Sequence, residues 1–133
     1  MFTIDIKTSA RDEMVDITAR INQLVPEWFQ TGICHLFSLH TTGGLTVNEN
    51  CDPDVRHDLI RKLNTLIHWN SPEFNHFEGN SAAHLKASLM GFALTLPVKD
   101  GQLLLGRWQG VYFCEFDGPR MRTISIQFIQ DSV

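Results

Sequence analysis

The chain has 133 residues, 43% of them apolar and 20% charged, with a formal net charge of −4. That is enough for one domain and too little for two cores. The acidic balance argues against general nucleic-acid binding, which normally needs a basic face, though Arg120, Arg122, Lys86 and Arg107 leave room for a local anion site. No run approaches the roughly 20 apolar residues of a membrane-spanning helix, and the first residues lack an apolar stretch of signal-peptide length. A cytoplasmic protein with no membrane or nucleic-acid partner is expected. Cys34, Cys51 and Cys114 are odd in number, widely spaced and without a CxxC pair. They read as reduced thiols acting as small buried hydrophobes.

Phe2, Ile4 and Ile6 alternate with polar neighbours and predict a first strand. Asp12 is placed to cap a helix whose Met14, Ile17, Ile21 and Leu24 recur at helical spacing, ended by Pro26. In "ICHLFSLH", Cys34, Leu36, Ser38 and His40 fall on one side of a strand. Ile33, His35, Phe37 and Leu39 fall on the other, where His35 reads as a core or interface histidine. His40 then ends the strand, where a side chain can reach a cleft.

Leu45, Thr46 and Val47 predict a short strand that brings Asn48 and Glu49 back alongside. Asp52, Pro53 and Asp54 form a strong helix start, with Val55, Leu59, Leu63 and Leu66 as the buried stripe. Residues 70–81 read as a loop leading to a helix capped near Asn80 or Ser81 and stopped at Gly91. "FALTLPV" and "QLLLG" flank Lys99-Asp100-Gly101, which predicts a hairpin. "GVYFCEF" and "RTISIQFI" flank Asp117-Gly118-Pro119, which predicts a second. The expected whole is a single α+β domain over residues 1–133, with six or seven strands and three helices. Its sheet is mostly antiparallel, folded over as a β-sandwich.

Three segments carry candidate chemistry. "HTTGGLTVNEN" offers His40, the hydroxyls of Thr41 and Thr42, and Gly43-Gly44, where backbone could approach a ligand closely. The bland alternative is a tight turn whose Thr and Asn side chains satisfy backbone groups. "HFEGNSAAH" puts His76 and Glu78 in a loop and His84 in the first turn of a helix, a unit able to converge on a metal. It matches no standard zinc spacing. "GRWQG" supplies Trp108 as a flat wall and Gln109 as an amide, or simply a glycine-flanked bulge. Around the later turn lie Glu115, Asp117 and Arg120, most simply structural.

"HTTGGLTVNEN", "DPDVRHDL", "EGNSAAHLKASLMG" and "GRWQGVYFCEFDGPR", in that order, resemble the YjbQ-like family over nearly the whole chain. Gly43 stands where that family often has alanine, and Arg107 where it often has threonine. The resemblance implies an α+β sandwich, commonly a homotrimer, and some members are described as secondary thiamine phosphate synthases of low efficiency. It also implies a role for His40, His76, His84, Glu49, Asn80, Trp108 and Gln109, which belong to the family pattern.

Three readings stay open. One is a thiamine phosphate synthase-like transferase, with Lys86 and Arg120 holding phosphates and Trp108, Gln109 and Asn80 contacting the bound group. Another is metal-assisted chemistry on a different small anion, with His40, His76 and His84 on a divalent ion, zinc first, and Glu49 as general base. The third is a non-enzymatic trimer that binds a metal or small anion. A Ser-His-Asp hydrolase is not expected, because no GxSxG elbow is present.

Overall fold

A computed structural model describes residues 1–132. The described residues form eight strands and three helices. These are β1 (Phe2–Lys7), β2 (Glu13–Asp16), α1 (Thr18–Leu24), β3 (Gly32–Ser38), β4 (Gly43–Glu49), α2 (Pro53–Leu66), α3 (Ser81–Met90), β5 (Ala93–Lys99), β6 (Gln102–Leu103), β7 (Gln109–Glu115) and β8 (Met121–Gln130). Two antiparallel sheets result, ordered β1-β8-β3-β5-β6 and β2-β7-β4. The α+β sandwich expected from the sequence is what forms. No described helix is long and apolar enough to cross a membrane.

Period-two patterning places the core. Ile4, Ile6, Cys34, Leu36, Leu96, Val98, Ile124 and Ile126 line one face of the five-stranded sheet. They pack on Leu45, Val111 and Phe113 of the smaller sheet, with Ile17, Ile21 and Phe29 closing an end. Each such side chain contributes about 1.5–3 kcal/mol when fully buried. The other face of the small sheet (Met14, Tyr112, Cys114) packs against Ala83 and Ala87 of α3 and Leu59, Ile60 and Leu63 of α2. β7 is thus covered on both faces, which explains its unbroken apolar run from Val111 to Cys114. Burial pushes the Cys34 and Cys114 thiols up to about 12, so both are inert; Cys51 is exposed instead.

Several elements differ from the sequence expectation. The helix expected from Asp12 begins only at Thr18, because residues Glu13–Asp16 pair with Tyr112–Glu115 as β2. The Ile17 amide bonds to the Val111 carbonyl at 2.8 Å, and Asp16 then accepts from the Thr18 amide at 2.9 Å to start the short helix. Met14, Ile17 and Ile21 satisfy a helical period, yet bonding to β7 wins over that pattern for the first of them. The Asp117-Gly118-Pro119 turn does not close a hairpin: β7 and β8 lie in different sheets, because β2 and β4 occupy both edges of β7. The Lys99–Gly101 hairpin does form, with positive φ at Asp100 (53°) and Gly101 (76°), as a tight turn of this twist requires. In α2, Asp52 caps as expected, accepting from the Asp54 amide at 2.9 Å, but Leu66 at the end of the expected stripe is exposed.

The outer face of the five-stranded sheet is left open by this chain. Ile33, Phe37 and Ile129 are 37%, 44% and 51% exposed there, and Ile33 and Ile129 are directly paired across β3 and β8. Ile124 and Ile126, by contrast, belong to the core.

Two buried ionic groups tie the layers. Between the sheets, Glu115 of β7 receives Arg122 of β8 through both carboxylate oxygens, one bond (Arg122 Nε to Oε2) measuring 2.7 Å. Glu115 also accepts from the Thr8 hydroxyl at 2.9 Å and the Asp117 amide at 2.9 Å, while Arg122 donates to Thr42 Oγ1 at 2.8 Å. Under α3, the Lys86 ammonium is wholly buried and bonds to Asp12 at 3.0 Å and to Asn64 of α2.

Burial pushes the Glu115 carboxyl up, but the hydrogen bonds from Arg122, Asp117 and Thr8 outweigh it and hold the group below its ordinary value of 4.5. A depressed folded value means that its stabilisation is present above 4.5 and lost as pH falls through the folded value. Denaturant melts between pH 3 and 7 are expected to show Glu115→Gln flattening that acid limb, while costing about 3–5 kcal/mol at neutral pH by leaving Arg122 unpaired. Removing Lys86 leaves Asp12 paired with Arg11 at 2.9 Å, so Lys86→Ala should cost less than Glu115→Gln in the same melts. A larger loss for Lys86→Ala would reverse the ranking of the two ties.

Candidate functional site

The end of the sandwich where β3, the β7–β8 turn and the start of α3 meet is a polar cavity of about 500 Å³. Its wall includes His40, His76, His84, Asn80 and Arg120, brought from four separate stretches of the chain. An apolar hollow of about 400 Å³ adjoins it, bordered by Phe37, Leu39 and Phe92 and sharing Leu39, His40 and Thr41 with the polar cavity.

His40 lies two residues past the end of β3, and the strand pairing runs on past Ser38: the Leu39 amide donates to the Thr123 carbonyl at 3.3 Å. The Thr123 amide in turn donates to His40 Nε2 at 2.8 Å. Burial, then the neighbouring Arg122 charge, lower the pKa of His40 below its ordinary 6.5, with Arg120 adding to the shift and Glu115 opposing it. The ring is therefore neutral at pH 7. His76 and His84 meet edge to face, with ring centroids 5.6 Å apart at 82°, and Glu78 lies 4.0 Å from His76 Nε2.

Asn80 sits at the N-cap of α3 without a side-chain cap bond. Its Nδ2 donates instead to Asp117 Oδ2 at 2.9 Å, and its Oδ1 is buried with no partner among the described residues. Asp117 Oδ2 also accepts from Arg120 Nη2 at 3.0 Å, while Arg120 Nε donates to the Asp117 carbonyl at 2.9 Å. Arg120 is half exposed, so it keeps donors for a ligand. Arg122 borders the cavity too, but Glu115 and Thr42 engage its guanidinium.

The remaining candidates lie elsewhere in this chain. Gly43 of β4 pairs with Glu115, and Glu49 pairs with Gln109. Six residues of strand, about 20 Å, therefore separate Glu49 from the His40 end. There the Glu49 carboxylate accepts from the Asp52 amide at 3.2 Å, and its carbonyl accepts from the Tyr112 hydroxyl at 2.9 Å. Gln109 accepts from the Gly106 amide at 2.7 Å, and Trp108, 50% exposed, carries the Arg107 guanidinium 4.7 Å over its ring. Lys86 is buried under α3 and does not border the cavity. Gly43 and Gly44 serve packing rather than ligand approach: a Cβ would meet the Phe113 ring at 2.4 Å and the Gly91 carbonyl at 2.6 Å respectively.

His40 Nε2 is spent on an amide N–H, and no three His, Cys, Asp or Glu side chains among the described residues are placed to hold an ion. Asp117, which reads from the sequence as part of a structural turn, borders the cavity, as does Arg122. The one available signal was the density of charge in "CEFDGPRMR" beside a turn.

Comparison with known proteins gives a consistent picture. The family model described as "UPF0047 protein YjbQ-like" matches residues 2–131. A UPF0047 protein of Methanocaldococcus jannaschii is 48% identical, covering 98% of this chain and 95% of its own. The UPF0047 protein YugU of Bacillus subtilis is 45% identical, over 96% and 97%. Among solved structures, an uncharacterized YjbQ/UPF0047 protein of Clostridium acetobutylicum superposes with a TM-score of 0.94 at 42% identity, covering 97% of this chain and 100% of that one. A conserved hypothetical protein of Thermus thermophilus does so with 0.92 at 40% identity, with the same coverage. With a family match over nearly every residue and the same fold in its relatives, the chain belongs to the YjbQ/UPF0047 family.

Proposed function

We propose that the cavity holds a small phosphorylated ligand, and that the protein is a slow transferase of the thiamine phosphate synthase kind. It would join a pyrimidine methyl diphosphate to a thiazole phosphate and release pyrophosphate. One observation carries this reading: an arginine with donors to spare and three histidines border a single polar cavity. As the carbon–oxygen bond to the diphosphate breaks and the bond to the thiazole nitrogen forms, negative charge grows on the leaving pyrophosphate. Fixed N–H donors and the Arg120 charge stabilise that growth most when they are already oriented. The adjoining hollow at Phe37, Leu39 and Phe92 supports a flat ring beside the phosphates.

A second reading is favoured by the contact between His76 and His84, with Glu78 beside them. It places a divalent ion, zinc first, on that pair, and elemental analysis of untagged protein tests it. A metal content that stays near zero after dialysis against zinc leaves the anion reading alone.

A homotrimer is proposed from the family resemblance together with the uncovered Ile33-Phe37-Ile129 face. Light scattering at micromolar concentration is expected to give three times the 15.2 kDa chain mass. A monomer mass would end that proposal.

For activity, purified protein supplied with the two precursors should form thiamine phosphate slowly. His84→Ala should reduce the rate at least about tenfold, the loss expected for a hydrogen bond to a charged group. Equal trace rates for the two proteins would assign the activity to a contaminant. Binding without turnover would make the protein a carrier of phosphorylated ligands.

A further inference from the structure

The donors around the cavity differ in how firmly their protons are placed. A guanidinium always donates, whereas a neutral imidazole offers one donor and one acceptor according to its tautomer. At His40 the backbone makes that choice. Thr123 lies in β8, held in register between Asp5 of β1 and the end of β3, and its amide reaches His40 Nε2 at 2.8 Å. An amide N–H can only donate, so Nε2 must present its lone pair. The hydrogen of the neutral ring is then on Nδ1, which has no partner among the described residues.

We propose that His40 is a binding residue with a fixed tautomer: the Thr123 amide locks its hydrogen on Nδ1, and that N–H bonds an oxygen of the anionic ligand. This rests on the anion reading of the cavity. It gives His40 a different task from a general base or a metal ligand. Both of those need a free lone pair, and the only one on the neutral ring is already engaged. It also joins binding to register, since a shift of β8 along β3 would take away the amide and free the tautomer.

The test combines spectroscopy of the wild-type chain with two substitutions. In protein labelled with ¹⁵N-histidine, two-bond proton–nitrogen correlations should show His40 Nε2 unprotonated and Nδ1 protonated. Adding inorganic phosphate should shift the Nδ1 resonance. By calorimetry, His40→Leu should weaken phosphate binding about tenfold. His40→Asn, which keeps an N–H near the Nδ1 position, should recover most of that loss. A ring protonated on Nε2 overturns the proposal without any variant, so failure of His40→Leu to fold would not shield it. Unchanged phosphate affinity in His40→Leu removes the role of His40 and leaves the anion reading standing. No phosphate binding by the wild-type chain removes both.

Discussion

The buried pair between Glu115 and Arg122 is the constraint on which the rest of the site depends. It joins the last residue of β7 to the second residue of β8, and those strands belong to different sheets. Buried ion pairs are poor sources of net stability, because desolvation offsets much of their attraction. What this one supplies is geometry. Glu115 takes bonds from β8, from the segment after β1 and from its own turn, and Arg122 reaches the segment before β4. One arrangement of four chain segments satisfies both groups.

Much of the cavity wall hangs from that arrangement. The turn between Glu115 and Arg122 carries Asp117 and Arg120. Asp117 in turn fastens the first turn of α3 through Asn80, which sets where His84 projects. On the other side, the register of β8 against β3 presents the Thr123 amide to His40. Of the acidic side chains near the cavity, Glu115 is committed to Arg122 and Asp117 to Arg120 and Asn80, while Glu78 stands exposed beside His76. A chain that is acidic overall can therefore still offer a bound anion an arginine and three imidazoles.

The sandwich also explains why one end is chemical and the other is not. β4 runs from the His40 end, where two glycines let it press against Phe113 and the end of α3, to Glu49 at the opposite end. There Glu49, Trp108 and Gln109 are occupied with the Asp52 amide, the Arg107 guanidinium and the Gly106 amide. Polar residues crowded within eleven positions of sequence are thus dealt to two ends of a strand.

Much of the fold was legible in the sequence, because local chemistry decides it. The alternation in Ile4-Ile6 and Ile124-Ile126, the Asp52-Pro53 helix start, the Gly91 stop and the Asp100-Gly101 turn each follow from backbone geometry and side-chain patterning within a few residues. His40, His76 and His84 were legible as candidates, by residue type and by family resemblance, and the fold brings all three to one cavity. Choices made by distant partners were not. Whether Met14 joins a helix or a strand depends on the free edge of β7, and whether Asp117-Gly118-Pro119 closes a hairpin depends on which strands already flank it. The ammonium of Lys86 reads from sequence as a phosphate contact; only packing turns it toward Asp12 and Asn64. The proton on His40 belongs to the same class: its sequence neighbours leave both tautomers open, and a backbone amide 83 positions away selects one.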